Sequence, residues 1–141
     1  MKFFHSGYST SVPHSPQELI QLALEVASLG SANDLPVAAI ITNSFDKVIA
    51  SSRNAVVEKD QHTAHAEMLA IAGLELNALK SEAEQMTMSV TLEPCPMCAW
   101  AIRSAGIGRL VFGAYNTQYG AAGSVYDLLR DKRHGRIVEV V

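Results

Sequence analysis

The sequence predicts an α/β protein, a three-layer αβα sandwich around a mixed sheet of about five strands. Short apolar runs alternate with amphipathic stretches along the 141 residues. Only turn residues separate the first two apolar runs, which makes them an antiparallel hairpin. Helical stretches separate the later runs, so the chain crosses over and returns parallel to itself.

The elements follow in chain order. Residues 1–14 are rich in Ser, His, Gly and Pro without periodicity, and read as a loose leader to a single domain over 15–141. Ser15-Pro16-Gln17-Glu18 is a helix start: a capping Ser, Pro at the first helical position, Glu three after the cap. Leu19, Leu22, Ala23, Val26 and Ala27 keep helical spacing, and Gly30 stops the run. Residues 37–41 and 47–50 are the hairpin strands, with Asn43-Ser44-Phe45-Asp46 turning between them. A helix is predicted over 63–79, capped by Thr63, with Ala64, Met68, Ile71 and Ala72 on one face. A strand over 88–92, a helix over 96–105 and a strand over 109–113 come next. Residues 120–129 read as a Gly-rich loop running into a short helix, and 137–141 close as a strand.

Composition narrows the class. Apolar residues make up 48% and charged residues 18%, which is globular and not disordered. A net charge of −3 excludes a strongly basic nucleic-acid-coating protein. The start, Met1 to Gly7, does not read as a signal peptide. No run reaches the ~18 apolar residues of a membrane span, so the expectation is a cytoplasmic protein with no membrane partner.

The chemistry sits in two short segments, His65-Ala66-Glu67 and Pro94-Cys95-Pro96-Met97-Cys98. Cys95 and Cys98 stand at a helix start, three apart, so both sulfurs share a face. The positive end of that helix favours thiolates, and Pro96 suits its first turn. Two thiolates and the imidazole of His65 suit Zn²⁺, and three protein ligands leave the fourth tetrahedral position open, as in catalytic sites. Glu67 follows His65 by two, about 200° round a helix, so it is cast as an acid–base group and not a ligand.

Other readings accompany these. A lone Cys-x-x-Cys in a chain without a secretion signal also suits a redox dithiol. His62 could complete a structural Cys₂His₂ zinc site, although a cap at Thr63 places it outside the helix. His5, His14 and His134 lie in polar stretches and are expected in solvent. Trp100 reads as core or interface, and Asn54 as a turn residue after a strand.

Taken together, H-x-E and P-C-x-x-C form the signature of zinc deaminases. From Gln17 to Val140 the chain resembles the cytidine deaminase-like superfamily, and within it the bacterial tRNA adenosine deaminases of the TadA type. Leu35-Pro36-Val37-Ala38-Ala39-Ile40, Thr63-Ala64-His65-Ala66-Glu67 and the stretch from Val90 to Cys98 carry the general likeness. Residues 107–114 and Gly120-Ala121-Ala122-Gly123-Ser124 point to the tRNA branch. The resemblance implies the cytidine deaminase-like fold and a homodimer converting the wobble adenosine of a tRNA anticodon stem-loop to inosine. It assigns one zinc to His65, Cys95 and Cys98, the proton shuttle to Glu67, and base contacts to Asn54, the Ala66 backbone and Val37.

The chain departs from the family pattern at Ala38, where Gly is commoner, at Asn116, where many bacterial members have Asp, and at Gln118, where Lys is frequent. It also stops at Val141, where relatives continue into a helix that grips the RNA. Its basic cluster is Arg130, Lys132, Arg133 and Arg136, which is either an RNA contact or a solvated loop. Few cations predict weak, salt-sensitive RNA binding. The alternative function is deamination of a free nucleobase or nucleoside such as guanine, cytosine or cytidine; a third is a non-enzymatic zinc module.

Overall fold

The computed structural model describes residues 14–141. Apart from His14, the expected leader lies outside the described residues. Helix α1 spans Pro16–Ala27 and begins with a reciprocal capping box: the Glu18 N–H donates to Ser15 Oγ at 3.1 Å, and the Ser15 N–H donates to the Glu18 carboxylate at 2.8 Å. Leu19, Leu22, Ala23, Val26 and Ala27 are all buried, as their spacing predicts. The helix ends at Ala27, ahead of Gly30.

The hairpin pairs β1 (Ala38–Thr42) with β2 (Val48–Arg53). Two further strands, β3 (Thr87–Leu92) and β4 (Arg109–Ala114), and the two-residue β5 (Glu139–Val140) complete a five-stranded sheet in the order β2-β1-β3-β4-β5. β1 runs antiparallel to both β2 and β3, while β3, β4 and β5 are parallel, so the sheet is mixed. The pleat divides the core in two. Ala38 and Ile40 of β1 and Val111 of β4 pack against α1. Ala39, Ile41, Met88, Val90 and Leu110 point to the other layer, which holds α3 (Ala66–Ala72) and α5 (Pro96–Ser104). β1 is buried along its whole length because helices cover both faces of the sheet.

Two predicted elements come out differently, and one helical turn is new. The helix predicted over 63–79 is two helices, α3 and α4 (Leu76–Glu82), broken at Gly73 and the extended Glu75. Its start moves from Thr63 to the turn of α3 because the Ala64 carbonyl accepts the Ala55 N–H at 3.0 Å, which pins Ala64 to the end of β2. The cap is therefore His65. The buried face is Ala66, Glu67 and Ala70, whereas Met68 and Ile71 are half-buried and Ala72 is exposed.

The short helix predicted within 120–129 does not form. Gly123 takes φ +129, and the N–H groups of Ala122 and Ser124 go to the Glu93 carboxylate, which leaves a loop with a bridge between Ala122 and Asp127. One helical turn that the periodicity did not suggest, α2 (Val56–Lys59), forms where the Asp34 carboxylate accepts the N–H groups of Val57 and Glu58 at 2.7 and 3.1 Å. His14 is not in solvent: its ring pairs with Asp46 at 2.6 Å, with the side chain 9% exposed. His134 is exposed, and Trp100 lies 47% exposed on α5, edge-on to the His134 ring. No helix among the described residues is long and apolar enough to cross a membrane.

Candidate active site

The carboxyl end of β3 and the first turns of α3 and α5 meet at one place. Cys95 is the N-cap of α5, in extended conformation (φ −72°, ψ 172°), and Pro96 fills the first helical position. Cys98 follows one turn later and is fully buried. His65 holds the equivalent post on α3 (φ −73°, ψ 151°). Its Nδ1 lies 3.7 Å from Cys95 Sγ and 3.5 Å from Cys98 Sγ. Zinc bonds of about 2.3 Å to sulfur and 2.05 Å to nitrogen, at a tetrahedral angle, would separate N from S by about 3.6 Å. The donor set therefore fits zinc in identity and in spacing. All three donor atoms lie within 4.8 Å of one another, and these three residues form the one such cluster among the described residues. His62, exposed in the turn before α3, is not part of it.

The local electrostatics suit a cation. A hydrogen bond from the Cys98 thiol lowers the Cys95 thiol to about 5, helped against burial by the N–H groups of Cys98 and Met97 and by His65. The same bond, with burial, pushes the Cys98 thiol up. Thiolate donors therefore form in sequence, and a metal stabilises both.

Glu67 stands at the second position of α3, 4% exposed. Burial raises its carboxyl above the ordinary carboxylate range, against its own backbone N–H and the Cys98 thiol, which favour the anion. Its separation from the metal donors has a different cause from the predicted one. His65 precedes the helix, so the angle round a helix does not apply; the two residues diverge because His65 is extended while Glu67 is helical.

A cavity of about 670 Å³ opens beside these groups. Val37, Asn54, His65, Ala66, Glu67 and Cys95 all line it. Every site residue singled out from the sequence thus stands here, except Cys98, which lies behind the wall as a buried donor. Asn54 follows β2 directly and is 8% exposed, so it is a buried amide in a cavity wall and not a surface turn residue. Its N–H donates to the Val37 carbonyl at 2.8 Å, which ties two of the lining residues together. Ala66, first residue of α3, has an N–H with no intrahelical acceptor.

Sequence reasoning missed part of the wall. Asp34, Glu93 and Tyr119 also line the cavity, beside Asn116, which the family resemblance had already singled out. Glu93 directly precedes Pro94 and Cys95, and that adjacency was the one local signal available. Burial alone would raise the Glu93 carboxyl, but hydrogen bonds from Ser124, Ala122 and Asn116 outweigh it and hold it below the usual range.

The basic cluster is largely spoken for. Arg130 pairs with Asp127 at 2.9 Å, Arg133 with Asp131 at 2.6 Å, and Arg136 with Glu84. The Asp131 carboxyl sits well below its ordinary range because Arg133 bonds it. Lys132 has no ion pair among the described residues.

Residues 13–114 match the family of the cytidine and deoxycytidylate deaminase zinc-binding region. A tRNA-specific adenosine deaminase of Haemophilus influenzae is 34% identical over 125 residues, 88% of this chain and 72% of that protein. One from Streptococcus pyogenes is 35% identical over 134 residues, 92% of this chain and 83% of that protein. The tRNA(Ile)-lysidine synthase of Deinococcus radiodurans is 37% identical over 114 residues, but the match spans 81% of this chain and only 19% of the synthase. Among solved structures, one from a study of A-to-I editing by tRNA:A34 deaminases at the wobble position superposes with a TM-score of 0.76 at 35% identity, covering 88% of this chain and 95% of that one. Guanine deaminase from Bacillus subtilis superposes at 0.65 with 27% identity, covering 81% and 72%.

Proposed function

The chain belongs to the cytidine and deoxycytidylate deaminase zinc-binding family, and from that premise we propose that it is a hydrolytic deaminase converting adenosine to inosine at the wobble position of tRNA. The observation that carries the reading is one cavity lined by a zinc-competent His65–Cys95–Cys98 cluster, a buried carboxyl at Glu67 and a buried amide at Asn54. The likeness to tRNA-specific adenosine deaminases and to a tRNA:A34 deaminase supports adenosine in RNA as the substrate.

His65, Cys95 and Cys98 would hold zinc, which would supply the Lewis acidity that acidifies water near neutral pH. The protein's own groups do the rest. Asn54 presents both a donor and an acceptor, which suits the edge of a purine. Val37 packs against the ring, and the Ala66 N–H is free to donate to it. Glu67 takes the proton of the attacking water and delivers it to the ring nitrogen beside the reacting carbon. The C–O bond forms at adenine C6, the C–N bond breaks, and Glu67 passes the second proton to the departing ammonia. A carboxyl raised by burial is suited to both directions of transfer. An anticodon-loop base is already unpaired, so splaying it into the cavity costs little.

Homodimerisation and a cytoplasmic location belong to the same reading through the family likeness, and the half-exposed Trp100 on α5 offers apolar surface for a dimer. A second reading, deamination of a free base, is favoured by the internal pairing of Arg130, Arg133 and Arg136, which leaves few cations for phosphate. The test is a deamination assay on zinc-loaded protein, offered an anticodon stem-loop with wobble adenosine and, separately, free adenine, guanine, cytosine and their nucleosides. Inosine in the RNA, read by mass after digestion and falling with added salt, is the expected result. Turnover of a free base, indifferent to salt, with RNA untouched would overturn it in favour of the second reading.

A further inference from the structure

Glu93 is 1% exposed and immediately follows β3, two residues before Cys95. Among the described residues no Lys or Arg pairs with it. Its partners all come from one loop: the N–H groups of Asn116, Ala122 and Ser124 donate at 3.2, 3.0 and 3.1 Å, and the Ser124 hydroxyl donates as well. Next to it, the Pro94 carbonyl accepts the Ala121 N–H at 2.8 Å. A Cβ on Gly120 would overlap the Glu93 carboxylate, so the loop can close this tightly only with Gly there.

What the carboxylate holds is the cavity's outer wall. Asn116, anchored through its N–H, turns its own Oδ1 back to accept the N–H groups of Gln118 and Tyr119 at 3.3 and 3.0 Å. That fixes the backbone from which Tyr119 stands at the cavity lip, 62% exposed. The same short segment thus holds a metal donor, Cys95, and the organiser of the wall facing substrate.

We propose that Glu93 is the positioning residue of the substrate wall, setting where Asn116 and Tyr119 stand and thereby how tightly the cavity grips a nucleobase. The inference rests on the cavity being the nucleobase site. An ionised carboxylate is the only side-chain group of this length with acceptor capacity for four donors and no hydrogen of its own. In Glu93→Gln, one oxygen becomes an amide NH₂ pointed at N–H groups, so buried donors lose their acceptor and the loop is released. The hydrogen bonds of the Glu93 carboxylate run to Asn116, Ala122 and Ser124 and not to His65 or the cysteines, so metal binding should survive.

The experiment compares wild type with Glu93→Gln and Ser124→Ala. It measures zinc per chain, amide exchange over residues 116–124, and KM and kcat on whichever nucleobase substrate the wild type turns over. In Glu93→Gln, zinc stays stoichiometric, exchange at Ala122 and Ser124 speeds up by about tenfold or more, and KM rises by about tenfold while kcat moves by under about threefold. Ser124→Ala, which loses one of the four donors, shows the same pattern at about two- to fivefold and carries the test if Glu93→Gln does not fold. Unchanged exchange and KM would overturn the proposal, as would a fall in kcat alone or a loss of zinc. A wild type that turns over no nucleobase or RNA would defeat the functional reading, and the exchange comparison would still decide what Glu93 holds.

Discussion

Glu67→Gln separates proton transfer from every other property of the side chain, because the amide keeps its shape and removes its charge. General acid–base catalysis is worth ~10²–10⁴ in rate, or roughly 2.7–5.4 kcal/mol at 1.36 kcal/mol per tenfold. Glu67 has no competing structural duty as an anion. It is 4% exposed, and its burial outweighs the hydrogen bonds that favour ionisation. An uncompensated buried charge costs several kcal/mol, limited here because the carboxyl can take up a proton instead. The amide avoids that cost, so zinc-free Glu67→Gln should be as stable as wild type or firmer by up to about 2 kcal/mol, a rise of several degrees in Tm for a domain of this size. The assay pairs single-turnover deamination with metal content by atomic emission and Tm by calorimetry on the stripped protein. The expected outcome is a loss of ~10²–10⁴ in rate, one zinc per chain, and an unchanged or higher Tm. A variant keeping more than about a tenth of the rate would refute the proton-carrier role. Loss of zinc would make Glu67 a ligand, and a Tm falling by several degrees would show that the ionised carboxylate holds the fold.

Further expectations follow from the same geometry. His62→Ala leaves zinc stoichiometry intact, since His62 is exposed and outside the donor cluster, whereas Cys98→Ala abolishes tight zinc binding; a metal-free His62→Ala protein would restore the four-ligand structural site. Gly108→Ala destabilises by about 3 kcal/mol or more in chemical denaturation, because its Cβ would run into the Glu84 backbone, with the carbonyl carbon only 2.8 Å away and no flexible side chain to yield. Glu93 also gives a pH signature. Its folded carboxyl lies below the ordinary range despite burial, so its contribution is present above that range and is lost as pH falls through the depressed value. Acid unfolding curves of wild type should therefore steepen below about pH 4, and Glu93→Gln should flatten that limb; coincident curves would contradict the assignment.

Much of this was legible locally. The capping box of α1 and its five buried residues follow from Ser15, Glu18 and the spacing of Leu19 to Ala27, because caps and amphipathic periods are properties of adjacent residues. The donors His65, Cys95 and Cys98 were legible because metal affinity resides in the side-chain atoms themselves. The helix start at residue 63 was not. Thr63 has the right chemistry for a cap, but a backbone bond between Ala55 and Ala64 overrules it and hands the post to His65. That shift matters for the site, since it leaves His65 extended toward the sulfurs.

The loop over 116–124 marks the same boundary from the other side. Gly120 and Gly123 suggested a loop giving way to a helix, and nothing nearby said that a carboxylate some thirty residues earlier would take its N–H groups. By itself, then, the sequence determined the fold class and the residues of the candidate zinc cluster, and it singled out the carboxyl proposed for proton transfer, all of which depend on residue identity at short range. Only the tertiary structure decided that Asn54, Asn116 and Tyr119 share one cavity and that Glu93 organises its wall. Those relations run through the pairing of β1 with β3 and β3 with β4, and through backbone N–H donors that every residue except proline carries, so they leave no mark on residue type.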